Sequence, residues 1–140
     1  MRESDRLTET RRWLRYAQED LLAAEAMLKR EGALPRHVCW LAQQCAEKAL
    51  KAVLVFLQID FPYRHDLDAL RNLIPDGWQL KQDHPDLADL TEWAVEARYP
   101  GDWPDATEGD AHAAVAQAQA IWESVQADLA RHGLDVVPQC

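Results

Sequence analysis

The residues best suited to chemistry form a polar group inside the most apolar stretch of the chain. Between Arg36 and Gln58 this stretch carries Gln43, Glu47 and Lys51 at intervals of four. Residues four apart lie on one face of an α-helix. An amide, a carboxylate and an ammonium on one face predict the floor of a polar cleft between two protomers. The alternative is a wet helix face, where Glu47 and Lys51 would stabilise the helix by only about 0.2–0.5 kcal/mol.

Two later segments carry further candidates for the same cleft. His65 precedes Asp66, and Arg98 precedes Tyr99 at the end of a predicted helix. His65 is either a loop residue beside a helix-capping Asp66, or a group that donates to a ligand phosphate or acts as acid or base beside Arg98. The spacing leaves both alternatives open. The predicted ligand-binding residues are Gln43, Glu47, Lys51, His65, Arg98 and Tyr99.

Large apolar residues lie among the polar ones on the same helix. Trp40, Leu54 and Val55 fall on the side that carries Gln43 and Glu47. A helix face in contact with water would not hold a tryptophan and two aliphatic residues together. We therefore expect Trp40, Leu54 and Val55 to form a homodimer interface.

Composition indicates one all-α domain. The 140 residues are 48% hydrophobic and include five glycines, and alanine, leucine, glutamate and arginine are favourable helix formers. We expect a single domain over 1–140, with its core at about 6–131 and a tail at 133–140. No run reaches the roughly 20 apolar residues of a membrane helix. Three cysteines and an N-terminus without an apolar signal segment favour reduced thiols and a cytoplasmic location.

Hydrophobic periodicity predicts an up-and-down four-helix bundle with one additional short helix. The segment 78–83 is ambiguous. Thr107 and Asp110 approximate a capping box at the start of the last helix. The predicted helices cover 5–30, 36–58, 67–74, 85–97 and 108–132.

The charge distribution argues against general nucleic-acid binding. The net charge is −9, and residues 65–140 hold four Lys and Arg against 15 Asp and Glu. Binding to a phosphate backbone requires a basic surface. The five histidines include no pair at i, i+4 and no Glu-x-x-His pair, as helical metal sites would require. We expect no metal and no cofactor.

Four segments in order resemble the HEPN-domain family: AQEDLLAAEAML at 17–28, AQQCAEKALKAVL at 42–54, RHDLDAL at 64–70 and EARYP at 96–100. The resemblance implies a small, dimeric helical domain, often encoded beside a minimal nucleotidyltransferase. It therefore suggests that partner, in a toxin–antitoxin-like pair, or a nucleotide bound in the polar cleft.

The resemblance also raises a ribonuclease alternative. Ribonuclease members of the family carry an arginine followed a few residues later by a histidine. Arg98 is the matching arginine, but the positions of the histidine hold Trp103, Pro104 and Asp105. We therefore predict a non-catalytic binding or regulatory protein. The alternative is a metal-independent endoribonuclease that uses Arg98 with His65 or His112.

Overall fold

The computed structural model describes residues 2–62 and 65–134, and within them the secondary structure is helical, without a strand. The prediction of an all-α fold is confirmed. Three helices are long and three are short. They are α1 (Glu3–Leu28), α2 (Pro35–Phe56), α3 (Leu67–Leu73), α4 (Gln79–Asp83), α5 (Ala88–Glu96) and α6 (Glu108–Arg131).

Helix α2 is the centre of the fold. It packs against α1, α3, α5 and α6, so apolar and polar residues alike are buried along most of its length. Pro35 occupies the first turn, where its missing N–H group costs no hydrogen bond. The connection from α1 passes through Gly32, whose φ of +82° is readily adopted by glycine. This short connection makes α1 and α2 antiparallel neighbours.

Two helix starts confirm predictions made from single side chains. Asp66 caps α3, because its Oδ1 atom accepts a hydrogen bond from the Ala69 N–H at 3.2 Å. Thr107 and Asp110 form a reciprocal capping box at the start of α6. Such caps satisfy backbone donors that have no partner inside the helix.

The helix inventory differs from the predicted one around the ambiguous segment. Residues 79–83 form α4, whose Leu80 N–H donates to Oδ2 of the buried Asp128 at 2.8 Å. The following helix begins at Ala88 rather than at position 85. The preceding Leu87 N–H donates instead to Oδ1 of Asp68 at 3.0 Å. The bundle therefore has three long and three short helices instead of four and one.

The C-terminal boundary of the domain is described only in part. Gly133 and Leu134 follow α6, and Leu134 is buried against the core. The rest of the predicted tail, 135–140, lies outside the described residues. Among the helices that are described, none is long and apolar enough to cross a membrane.

Candidate functional site

Glu47 is the centre of a hydrogen-bonded cluster on α2. Its Oε1 atom accepts a hydrogen bond from Nε2 of Gln43 at 3.2 Å and lies 2.7 Å from Nδ1 of His65. Its Oε2 atom accepts one from Nζ of Lys51 at 3.0 Å. Nε2 of Gln43 also donates to the backbone oxygen of His65 at 3.2 Å. We call Gln43, Glu47, Lys51 and His65 the Glu47 cluster.

Burial and charge fix the protonation of this cluster. Glu47 is only 4% exposed. Burial acting alone would raise the pKa of its carboxyl group, but hydrogen bonds from His65, Lys51 and Gln43 and the charge of Lys51 hold that pKa below its ordinary value. The carboxylate is therefore ionised at neutral pH and can only accept hydrogen bonds, so Nδ1 of His65 is the donor.

The cluster also joins three parts of the fold. The Lys51 ammonium lies 5.8 Å from the Trp13 ring centroid and 5.4 Å from that of Phe61. These two rings meet edge to face at 6.2 Å, a favourable aromatic geometry. The Glu47 cluster thus fastens α1 and the connection between α2 and α3 onto α2. Gln43, Glu47 and Lys51 are buried and bond to one another, whereas His65 is exposed, so the cluster meets solvent on the side of His65.

A second polar region follows α5. Arg98 and Tyr99 line a cavity of about 400 Å³ together with Arg36 and Trp103. The Arg98 guanidinium carbon lies 5.2 Å from the Tyr99 ring centroid. Nη1 of Arg36 donates to the backbone oxygen of Ala97 at 3.0 Å, which places a cation at the C-terminal end of α5, where the helix dipole favours it. We call this space the Arg98 cavity.

The Arg98 cavity also contains acidic groups. Glu96 and Asp105 line it. Burial and the nearby carboxylates of Glu92 and Asp110 raise the pKa of Glu96. The cavity therefore combines two guanidinium groups, two aromatic rings and two carboxyl groups. Unlike those of the Glu47 cluster, its charged side chains include the exposed Arg98 and Asp105.

The six predicted ligand-binding residues thus fall into two groups. Gln43, Glu47, Lys51 and His65 lie in the Glu47 cluster, whereas Arg98 and Tyr99 lie in the Arg98 cavity. Arg36, which also lines the cavity, precedes Glu47 by eleven positions on α2. At ~1.5 Å per residue, this amounts to about 16 Å along the helix.

The histidines of the ribonuclease alternative contact other groups. His65 contacts Glu47. The exposed His112 lies 3.8 Å from Oε1 of Glu108 on the first turns of α6. Arg98 instead packs over Tyr99. No contact between Arg98 and either histidine occurs in the described parts of the chain.

The three residues predicted at a dimer interface differ in burial. Leu54 is fully buried within one chain, so the expectation that Leu54 needs a partner for cover was wrong. Val55 and Trp40 are half-buried. The indole Nε1 atom of Trp40 is itself buried and has no hydrogen-bond partner among residues 2–62 and 65–134. The remaining exposed surface of Trp40 and Val55 is what a second molecule could cover.

In the described residues, the side-chain types that commonly bind metal ions do not form a cluster of three or more. Within residues 2–62 and 65–134, no three His, Cys, Asp or Glu side chains are grouped as a metal site would require. Burial raises the pKa of both Cys39 and Cys45 to about 12, which makes these thiols poor nucleophiles and poor ligands.

Sequence reasoning missed Arg36 and Trp103 as members of the cavity. Arg36 is far from Arg98 in sequence, and only the packing of α5 on α2 brings them together. For Trp103, the neighbouring sequence could have indicated its position. The segment around it is rich in proline and glycine, which indicates a fixed loop rather than a helix. The ring of Trp103 packs on the backbone of Gly101 so closely that an added Cβ there would overlap it.

Comparison with known proteins identifies the class. The HEPN domain family matches residues 10–128, so the chain belongs to the HEPN family. The chain is also similar to the crystal structure of ST0689, an archaeal HEPN homologue, with 25% sequence identity and a TM-score of 0.64. The similarity covers 92% of this chain and 98% of the homologue. Comparison with curated proteins found no match.

Proposed function

We propose that this HEPN-family chain is a non-catalytic binding protein that holds a nucleotide in the Arg98 cavity. The observation that carries the proposal is the convergence of Arg36 and Arg98 with Tyr99 and Trp103. Guanidinium groups bind phosphate oxygens through fixed, charge-assisted hydrogen bonds. Aromatic rings bind nucleobases by stacking. The volume of about 400 Å³ lies within the ~300–1,000 Å³ typical of ligand sites.

The acidic groups of the cavity favour a mononucleotide over a long RNA. Glu96 and Asp105 would repel a continuous phosphate backbone. A mononucleotide has one phosphate-bearing end for the arginines. It also has hydroxyl and amino groups that donate to carboxylates. The net charge of −9 also opposes the binding of RNA.

Titration calorimetry with adenosine and guanosine nucleotides tests the proposal. We expect Arg98→Ala and Arg36→Gln each to weaken binding about tenfold or more, since each removes a charged donor. Arg15→Ala, which removes an exposed arginine of α1, is the matched control and should leave affinity unchanged. Equal affinity in all four proteins, or no binding by the parent, would reject the site.

A cleavage assay distinguishes binding from the ribonuclease alternative. The parent, Arg98→Ala and His65→Ala are incubated with a mixed RNA pool in the presence of a chelator. We expect no cleavage by any of them, because the described contacts of His65 and His112 are with acids rather than with Arg98. Cleavage by the parent that is lost in both variants would favour the endoribonuclease.

We further propose a homodimer that works with a minimal nucleotidyltransferase in a toxin–antitoxin-like pair. The half-buried Trp40, a large aromatic side chain that stays in contact with water, supports the dimer, and the HEPN resemblance supports the partner. Trp40→Glu should then reduce the particle mass in light scattering while leaving helix content unchanged. A parent protein with the monomer mass of 16.0 kDa would contradict the dimer.

A further inference from the structure

A groove beside the C-terminal end of α2 has a mostly apolar lining. Leu54 and Val55 of α2, Ile59 and Phe61 of the following connection and Trp13 of α1 line it. Its volume is about 670 Å³. Leu54 is fully buried, whereas the other four side chains are half-buried and remain in contact with water. Covering these four would release that water, which is the main driving force of apolar association.

Two carboxyl groups and the amide of the exposed Gln58 line the outer part of the same groove. Glu9 is paired with Arg12 at 2.7 Å, whereas Asp60 is exposed in the connection after α2. Lys51 lies beside two of the aromatic walls, but the carboxylate of Glu47 at 3.0 Å compensates its charge. The groove is therefore apolar inside and negatively charged at the edge formed by Asp60.

We propose that this groove binds a segment of a partner protein that presents an aliphatic or aromatic side chain next to lysine or arginine. The apolar side chain enters between Trp13 and Val55, and the basic side chain pairs with Asp60. Charge complementarity of this kind selects partners and speeds their encounter. The groove shares no residue with the Arg98 cavity, so the inference stands or fails independently of nucleotide binding.

A second copy of the chain fits this groove less well. A two-fold contact places the same patch on both subunits, so each copy would offer the other a groove edge that carries the negative Asp60 and, among the described residues, no basic lining residue. Like charges across an interface oppose association. In a partner that carries lysine or arginine, the basic side chain would instead attract the carboxylate of Asp60.

Two matched peptides test the proposal on the full chain. One is a short amphipathic peptide of leucine and lysine, and the other carries glutamate in place of lysine. We expect calorimetry to give at least about tenfold tighter binding of the lysine peptide. In NMR spectra, that peptide should shift the indole N–H signal of Trp13, assigned with Trp13→Phe.

Two variants of equal charge change separate the groove from the overall charge of the protein. Asp60→Lys places a cation at the groove and should weaken binding of the lysine peptide about tenfold. Glu123→Lys makes the same charge change on the exposed side of α6 and should leave affinity within about twofold. Equal losses in both variants, or no binding of the lysine peptide, would overturn the proposal. Dissociation of a dimer of the parent on addition of the lysine peptide, measured by light scattering, would overturn it in favour of a second copy.

Discussion

The Glu47 cluster and the Arg98 cavity use the same kinds of side chains in opposite ways. In the cluster, a carboxylate that is 4% exposed accepts hydrogen bonds from an amide and an ammonium and contacts an imidazole. In the cavity, Arg98 and Tyr99 are exposed beside a space of about 400 Å³. Polar groups that satisfy one another stabilise the fold, whereas exposed polar groups that line a cavity are available to a ligand.

The carboxyl groups of Glu47 in the cluster and Glu96 in the cavity show the same contrast. Hydrogen bonds and Lys51 overcome burial and lower the pKa of Glu47. Burial and the like charges of Glu92 and Asp110 raise the pKa of Glu96. Ionisation is therefore favoured in the cluster and opposed beside the cavity.

Removal of Glu47 should give the largest effect and tests the structural role of the cluster. Glu47→Ala leaves Lys51 buried without its counter-charge, which typically costs about 3–5 kcal/mol of unfolding free energy. Urea denaturation measures the loss. Glu19→Ala, at an exposed pair with an N–O distance of 3.9 Å, is the control and should cost less than about 1 kcal/mol. If Glu47→Ala lowered the unfolding free energy by less than about 1 kcal/mol, the cluster would contribute no more to stability than an exposed ion pair does.

Gly101→Ala should weaken nucleotide binding in the Arg98 cavity and should destabilise the fold less than Glu47→Ala does. The added Cβ would overlap the Trp103 ring, so the ring must move and the cavity wall with it. We expect nucleotide affinity to fall about tenfold, while the unfolding free energy falls by about 1–3 kcal/mol at most.

A second glycine provides the control for that substitution. At Gly109 an added Cβ would meet Oγ1 of Thr107 at 3.7 Å, an ordinary contact. Gly109→Ala should therefore keep the parent affinity and gain about 0.5–1 kcal/mol from its position in α6. Unchanged affinity in Gly101→Ala would show that Trp103 is no part of the binding site.

The smallest expected effects come from acid titration. Because the pKa of Glu47 is lowered on folding, its contribution is present above its ordinary value of 4.5 and is lost as the pH falls through the lowered value. Glu47→Gln should therefore flatten the acid limb of the stability curve. Glu96→Gln should act in the opposite direction and raise stability at neutral pH by a few tenths of a kcal/mol at most. If Glu47→Gln and Glu96→Gln changed the pH dependence of the unfolding free energy in the same way, the contrast between the two carboxyl groups would be refuted.

The sequence predicted the local features of the fold more completely than the site. The capping roles of Asp66 and Thr107 depend on neighbours within three residues, and both are confirmed. For the last helix, apolar residues at alternating fours and threes predict that Trp122 lies at the centre of the buried face. In the structure Ile121 is buried, whereas Trp122 is half-buried and its Nε1 atom donates to the Leu14 oxygen at 3.4 Å. The polar nitrogen of the indole ring favours this position at the edge of the face.

The division of the site could not be read from periodicity alone. The spacing of Gln43, Glu47 and Lys51 correctly placed them together, and it also indicated a face that could be polar and wet. Whether that face meets water depends on the packing of α1 and of the connection that carries His65 and Phe61. These contacts join residues distant in sequence, and the polar spacing of one helix carries no information about them.

Helix α4 shows how a distant side chain can set the order of events in folding. Its five residues are too few to form a stable helix in isolation. The Leu80 N–H donates to Asp128, 48 positions later in the chain. This bond cannot form until α4 and α6 have met, so we expect α4 to be a late element of the folding pathway. In native-state hydrogen exchange, the Leu80 amide should thus report the opening of α6 away from α4 rather than local fraying.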